Sequence, residues 1–129
     1  MGATARLEVV VTEDMTVDFA ELGRVHPVYA TYTMAKHFEE AGRKLLLAHL
    51  EPGEEGMGSK VAVEHLAPSW VGDQLRIEAR CTEHRGNRLT VSCTATAADG
   101  RVVGTGSTEQ VVLPLDRLDA LLNPAGPRG

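Results

Sequence analysis

One amphipathic segment governs what this chain can become. Between about Thr33 and Leu50, the residues Met34, Phe38, Ala41, Leu45 and Ala48 recur at helical spacing and form one apolar stripe. Lys36, Glu40 and Lys44 fall on the opposite side, where Lys36/Glu40 and Glu40/Lys44 are spaced for i,i+4 pairing. Glu39 lies on the border between the two faces. The helix must stop at "EPGEEG" (51–56), because proline cannot continue it and the glycines favour a turn. Its stripe has to be buried against other elements, and the rest of the chain reads as strands.

Residues 5–12, "ARLEVVVT", place Leu7, Val9 and Val11 on one face of a first strand, and a connecting region follows to about Pro27. From Gly58 onward the pattern has period two. Val61, Val63 and His65 share one strand face. After a break at "APSWVGD" (67–73), Leu75, Ile77, Ala79 and Cys81 line the next strand. Beyond the turn "HRGN" (84–87), Leu89, Val91, Cys93, Ala95 and Ala97 line a third. The dipeptide "DG" (99–100) is a strong hairpin signal, since both residues accept positive φ. The last strand, about Arg101 to Leu113, carries Gly104 and Gly106, which predict a bulge or a close backbone approach.

The order is therefore strand, long helix, then four strands in an antiparallel meander. Such an α+β chain is satisfied by a strongly curved antiparallel sheet that takes the helix as its packing partner. One domain spans residues 1–122, and the proline- and glycine-rich tail "NPAGPRG" (123–129) is expected to be flexible.

With 129 residues the chain can bury a core without disulfides or metals. Its formal charge of −5 argues against a nucleic-acid partner, which calls for a basic footprint. No stretch approaches the ~20 apolar residues of a membrane span. The N-terminus lacks the basic and then apolar layout of a signal peptide. Cys81 and Cys93 fall on apolar strand positions and read as buried free thiols, and zinc spacing is absent. The expected compartment is cytoplasmic.

Three residues stand out as carriers of chemistry. His65 is an ionisable ring on a face it shares with Val61 and Val63, suited either to a backbone hydrogen bond or to proton transfer near neutral pH. Glu39 has an ordinary explanation in Arg43, its i,i+4 partner. Beside the small residues Ala35 and Gly42, it also has room for a ligand, where a carboxylate serves as base or nucleophile. Thr31 and Thr33 are both placed to cap the helix. Were Thr31 inside a continuous helix, eight residues would set it ~12 Å from Glu39. One reacting group could then use both only if the chain bent or two subunits shared a site. His37 and Glu40 do not make a metal site on their own. There is no G-x-S-x-G, Walker loop, G-x-G-x-x-G or zincin motif.

Over about residues 7–118 the sequence resembles the hot-dog-fold thioesterases, most closely the fluoroacetyl-CoA thioesterase-like family. The matching segments are "HPVYATYTMAKHFEEAG", "LEPGEEGMGSKVAVEHLAPSWVGDQLRIEA" and "GTGSTEQVV". The resemblance implies a hot-dog fold, in which a curved sheet wraps one long helix. It implies hydrolysis of a short or modified acyl-CoA, with Thr31, Glu39 and His65 serving the thioester chemistry. Gly58, Ser59 and Tyr29 are the expected substrate contacts. It implies no metal or prosthetic group, CoA being part of the substrate, and a homodimer or a tetramer. A non-catalytic acyl-CoA-binding protein and an acyl-CoA hydratase or dehydratase are the competing readings, although no Asp–His pair is evident for the latter. Departures occur at Lys36 and His37, where fluoroacetyl-specific members have small or apolar residues, and at Gln110, where they carry an arginine. The aromatic gate has only Tyr29 and Tyr32 nearby. These departures argue against selectivity for fluorine.

Overall fold

A computed structural model describes residues 2–123. Strand β1 (Thr4–Val10) leads through a short 3-10 turn into the hairpin β2 (Thr16–Phe19) and β3 (Gly23–Tyr29), followed directly by helix α1 (Thr31–Leu47). Strands β4 (Glu54–His65), β5 (Gln74–Arg85), β6 (Arg88–Ala97) and β7 (Val102–Pro114) follow, and helix α2 (Leu115–Leu122) closes the order. Five strands form one antiparallel sheet in the order β1-β5-β6-β7-β4, while β2 and β3 pair with each other. The α+β expectation of one long helix against a wrapped antiparallel sheet describes this architecture.

The period-two pattern of β5 and β6 buries alternate residues, among them Leu75, Ile77, Leu89 and Val91. Against them α1 buries Met34, Phe38, Ala41, Leu45 and Leu46. Each large side chain so enclosed contributes ~1.5–3 kcal/mol relative to exposure. Gly104 and Gly106 explain how the helix comes so close to β7. A Cβ on Gly106 would lie 2.1 Å from Ala62 O and 2.9 Å from the Phe38 ring, and one on Gly104 would lie 2.3 Å from Met34 Sδ. The register between β6 and β7 also shifts beside Gly104, so the last strand has both its close approach and its irregularity.

Several expectations need correction. The helix begins at Thr31 and ends at Leu47, and its stripe ends on Leu46, with Ala48 exposed. Residues 16–29 are a hairpin, pinned to the first turn of α1 by Tyr32. The phenol of Tyr32 accepts the Asp18 N–H at 3.0 Å and lies 2.9 Å from Asp18 O. Strand β4 starts at Glu54 and pairs with β7, so only β5, β6 and β7 form a meander and β4 takes an edge. Helix α2 buries only Leu118, which leaves little pattern in the sequence to mark it. Apart from Asn123, the expected tail lies outside the described residues.

Candidate active site

The strand-to-helix junction is built by the segment Tyr29-Ala30-Thr31. Ala30, fully buried in extended backbone, donates its N–H to Met15 O and accepts the first helical bonds from Thr33 and Met34. Thr31 is thus the first residue inside the helix. Neither threonine caps it: Thr33 donates its hydroxyl to Met15 O at 3.1 Å. The exposed Thr31 Oγ1 lies 2.8 Å from His65 Nδ1, across 34 residues of sequence.

His65 ends strand β4. Its Nε2 is buried and, among the described residues, has no hydrogen-bond partner. The Tyr29 ring stands edge-on to the imidazole, with centroids 6.2 Å apart and planes at 76°. Among the described residues, the Thr31 hydroxyl is the hydrogen-bond partner of the half-buried His65 ring. A neutral imidazole accepting there draws the hydroxyl proton toward itself and makes Thr31 more nucleophilic or a better proton relay.

Tyr29 is fully buried, and its hydroxyl is hydrogen-bonded to His37 Nδ1 at 2.5 Å. Burial holds the phenol well above the usual tyrosine range. It also lowers the His37 imidazole below its usual value, an effect that nearby Glu40 opposes and Lys36 reinforces. The pair is therefore a neutral phenol hydrogen-bonded to a neutral ring. Sequence reasoning gave His37 no role. Its position one turn before Ala41 and three residues after Met34 sets it on the inner side of α1, and that spacing was the available signal.

Glu39 is exposed two turns further along α1. Its expected partner Arg43 instead reaches Glu55 Oε1 at 2.8 Å and Gly56 O at 3.2 Å. Among the described residues, no ion pair or hydrogen bond engages Glu39. Gly58 faces it, since a Cβ there would lie 3.6 Å from Glu39 Oε1. The two border a cavity of about 120 Å³ that also meets Lys60, Thr108 and Gln110. Gln110 is turned inward and donates to Gly42 O at 2.9 Å. Ser59 occupies the β4 irregularity between Gly58 and Lys60 and donates to Glu109 O at 3.1 Å.

Within one chain, then, Thr31 and His65 touch, Glu39 and Gly58 face each other, and ~12 Å of continuous helix separates Thr31 from Glu39. Among the described residues no three His, Cys, Asp or Glu side chains converge as metal ligands, and no helix is long and apolar enough to cross a membrane.

Comparison with known proteins identifies the family of the chain. The family model for fluoroacetyl-CoA-specific thioesterase matches residues 11–116. The fluoroacetyl-CoA thioesterase of Streptantibioticus cattleyicolor is 31% identical over 113 residues, covering 87% of this chain and 78% of that protein. A Thermus thermophilus hypothetical protein described as a thioesterase superfamily member superposes with a TM-score of 0.93 at 49% identity, covering 96% of this chain and 90% of the other. A structure of a threonine-to-serine mutant of the fluoroacetyl-CoA thioesterase in complex with acetyl-CoA superposes with a TM-score of 0.85 at 25% identity, covering 98% of each chain. The chain belongs to the fluoroacetyl-CoA-specific thioesterase family, whose members are hot-dog-fold thioester hydrolases.

Proposed function

We propose that the protein hydrolyses a short or modified acyl-CoA to the free acid and CoA, in a site shared by two copies of the chain. The observation that carries this reading is the 2.8 Å contact of an exposed Thr31 hydroxyl with His65, set ~12 Å from Glu39 on the same helix, a carboxylate unpaired among the described residues. Two halves of one site, displaced along a rigid element, call for a second chain to bring them together.

Strand β4 supports the assembly. It is 12 residues long, it is bonded on one side only, and residues 57–62 are all exposed. Such an open edge is a template for pairing with another strand. Antiparallel pairing of two copies about an axis near Val61 and Ala62 sets Gly58 and Glu39 of one copy toward Thr31 and His65 of the other.

In that site Glu39 takes a proton from water as the water oxygen attacks the thioester carbon, or attacks it directly and forms a mixed anhydride that water then opens. The backbone N–H groups near Gly58 stabilise the oxyanion, a role suited to fixed donors. The C–S bond breaks, and the CoA thiolate receives through Thr31 and His65 a proton that the attacking water replaces, by way of Glu39 in the first route or on opening the anhydride in the second. Ser59 holds the irregular strand that presents Gly58. Tyr29 acts from behind His65. CoA enters as part of the substrate, and the step needs no other cofactor.

A panel of acyl-CoA esters assayed by free-thiol release tests the reading. At least one short or modified ester should be turned over in a Glu39-dependent manner. Tight acyl-CoA binding without thiol release across the panel would leave a binding protein in its place.

A further inference from the structure

His65 is gripped from two sides by one three-residue segment. Thr31 holds its Nδ1, and Tyr29, two residues earlier, sets an aromatic edge contact on the ring. We propose that Tyr29 and His37 form a positioning pair that holds the His65 imidazole in line with the Thr31 hydroxyl. This rests on the reading of His65 as part of the thioesterase site.

A single hydrogen bond at Nδ1 fixes one atom of the imidazole and leaves the ring free to swing about that bond. The far nitrogen supplies no second anchor among the described residues. What remains is packing, and the wall is Tyr29. Edge-to-face aromatic contacts in this distance range have a preferred angle. The wall is only as fixed as the tyrosine itself. Its hydroxyl, in a fully buried side chain, needs a partner, and His37 Nδ1 at 2.5 Å provides it. The two rings also lie nearly parallel, 5.7 Å apart at 13°, so stacking adds to the bond in resisting a tilt of the phenol. The His37 imidazole, 8% exposed and kept neutral by burial, can pair with that hydroxyl without burying a charge. A Phe and a Leu would fill the same volume without a polar pair. The added feature is a fixed angle for the ring that faces His65.

The proposal separates from a purely structural role through a double variant. Tyr29→Phe leaves the buried His37 nitrogen without its partner and should lower the melting temperature. Tyr29→Phe/His37→Leu removes both polar groups and should regain most of that stability, since replacing both partners of a buried bond is close to neutral. We expect His65 ring ¹⁵N signals, assigned by their loss in His65→Gln, to depart from wild type in both variants. Thiol-release kcat should fall ~10-fold or more in both, with KM little changed, as misplacement of a reacting group costs up to ~10²-fold. A double variant with wild-type His65 signals and wild-type kcat would overturn the proposal and reduce the pair to core packing. Should Tyr29→Phe alone fail to fold, the double variant decides. Should the wild-type protein release thiol from no acyl-CoA, the thioesterase reading fails, and the His65 signals still judge the pair.

Discussion

Arg43 reaches Glu55 at 2.8 Å and in doing so leaves Glu39, one turn before it, without its helical counter-ion. The Glu55 carboxyl is held below the usual range chiefly by that Arg43 hydrogen bond, with the Gly56 N–H adding to it. Glu39 is thereby kept free beside Gly58. Glu39→Gln, which keeps shape and removes charge, should lower thiol release by at least ~10²-fold with the melting temperature unchanged. Glu40→Gln, on the solvated face, should behave as wild type. Equal losses in both would assign the effect to the helix rather than to chemistry.

A shared site makes a prediction that a one-chain site does not. His65→Gln should give a folded protein that turns over ~10²–10⁴-fold more slowly. Mixing and re-equilibrating the inactive Glu39→Gln and His65→Gln proteins should restore activity to about a quarter of wild type, because half the dimers carry one intact site of two. No recovery, in a mixture whose subunits are shown to exchange, would sink the two-chain arrangement. So would a fully active monomer in sedimentation at micromolar concentration.

Gly42 is a tight seat. A Cβ there would lie 2.6 Å from Thr108 Oγ1, in a buried, β-branched and therefore stiff side chain. Gly42→Ala should lose ~1–3 kcal/mol, the range for overpacking, as read by denaturant unfolding. Thr108→Ala removes the colliding atom, so the double variant should recover most of the loss. Additive losses would mean that the clash is relieved elsewhere.

His37 should tilt stability toward higher pH. In the unfolded chain it titrates near 6.5, and burial lowers its folded value. As pH falls through 6.5 the unfolded state binds the proton first, so folding stability drops until the folded pKa is reached. Melting curves between pH 7.5 and 5 should show this slope, roughly the window of histidine titration. The slope should flatten in the Tyr29→Phe/His37→Leu double variant.

What the sequence disclosed is what local periodicity encodes. The stripe from Met34 to Leu45 and the alternation of β5 and β6 are repeated signals, each residue reinforcing the next. Gly104 and Gly106 were legible because an absent side chain inside a strand has few explanations. The pairing of β4 with β7 was not legible, because β4 buries few residues and its partner is chosen by tertiary contact. The hairpin of residues 16–29 was hidden by Pro27 and by irregular pairing. At the site, the residue types could be named from the matching segments. The approach of Thr31 to His65 joins residues 34 apart, and the Arg43–Glu55 pair replaced the nearer i,i+4 partner. Both are outcomes of packing that spacing alone does not contain.

The glycines beneath α1 make the helix a ruler. Gly42 meets Thr108 on the helix side, and Gly104 and Gly106 receive Met34 and Phe38 on the strand side. Sliding the helix by a fraction of a turn would drive side chains into backbone at all three marks. Thr31 and Glu39 are graduations on that ruler, and their spacing cannot be adjusted to suit a substrate. If two rulers meet across a twofold axis, the gap between one graduation and the other is set by their offset. The acyl length that fits would then be a property of the seam between subunits, and redesigning specificity would mean shifting β4 against β4, not enlarging a pocket.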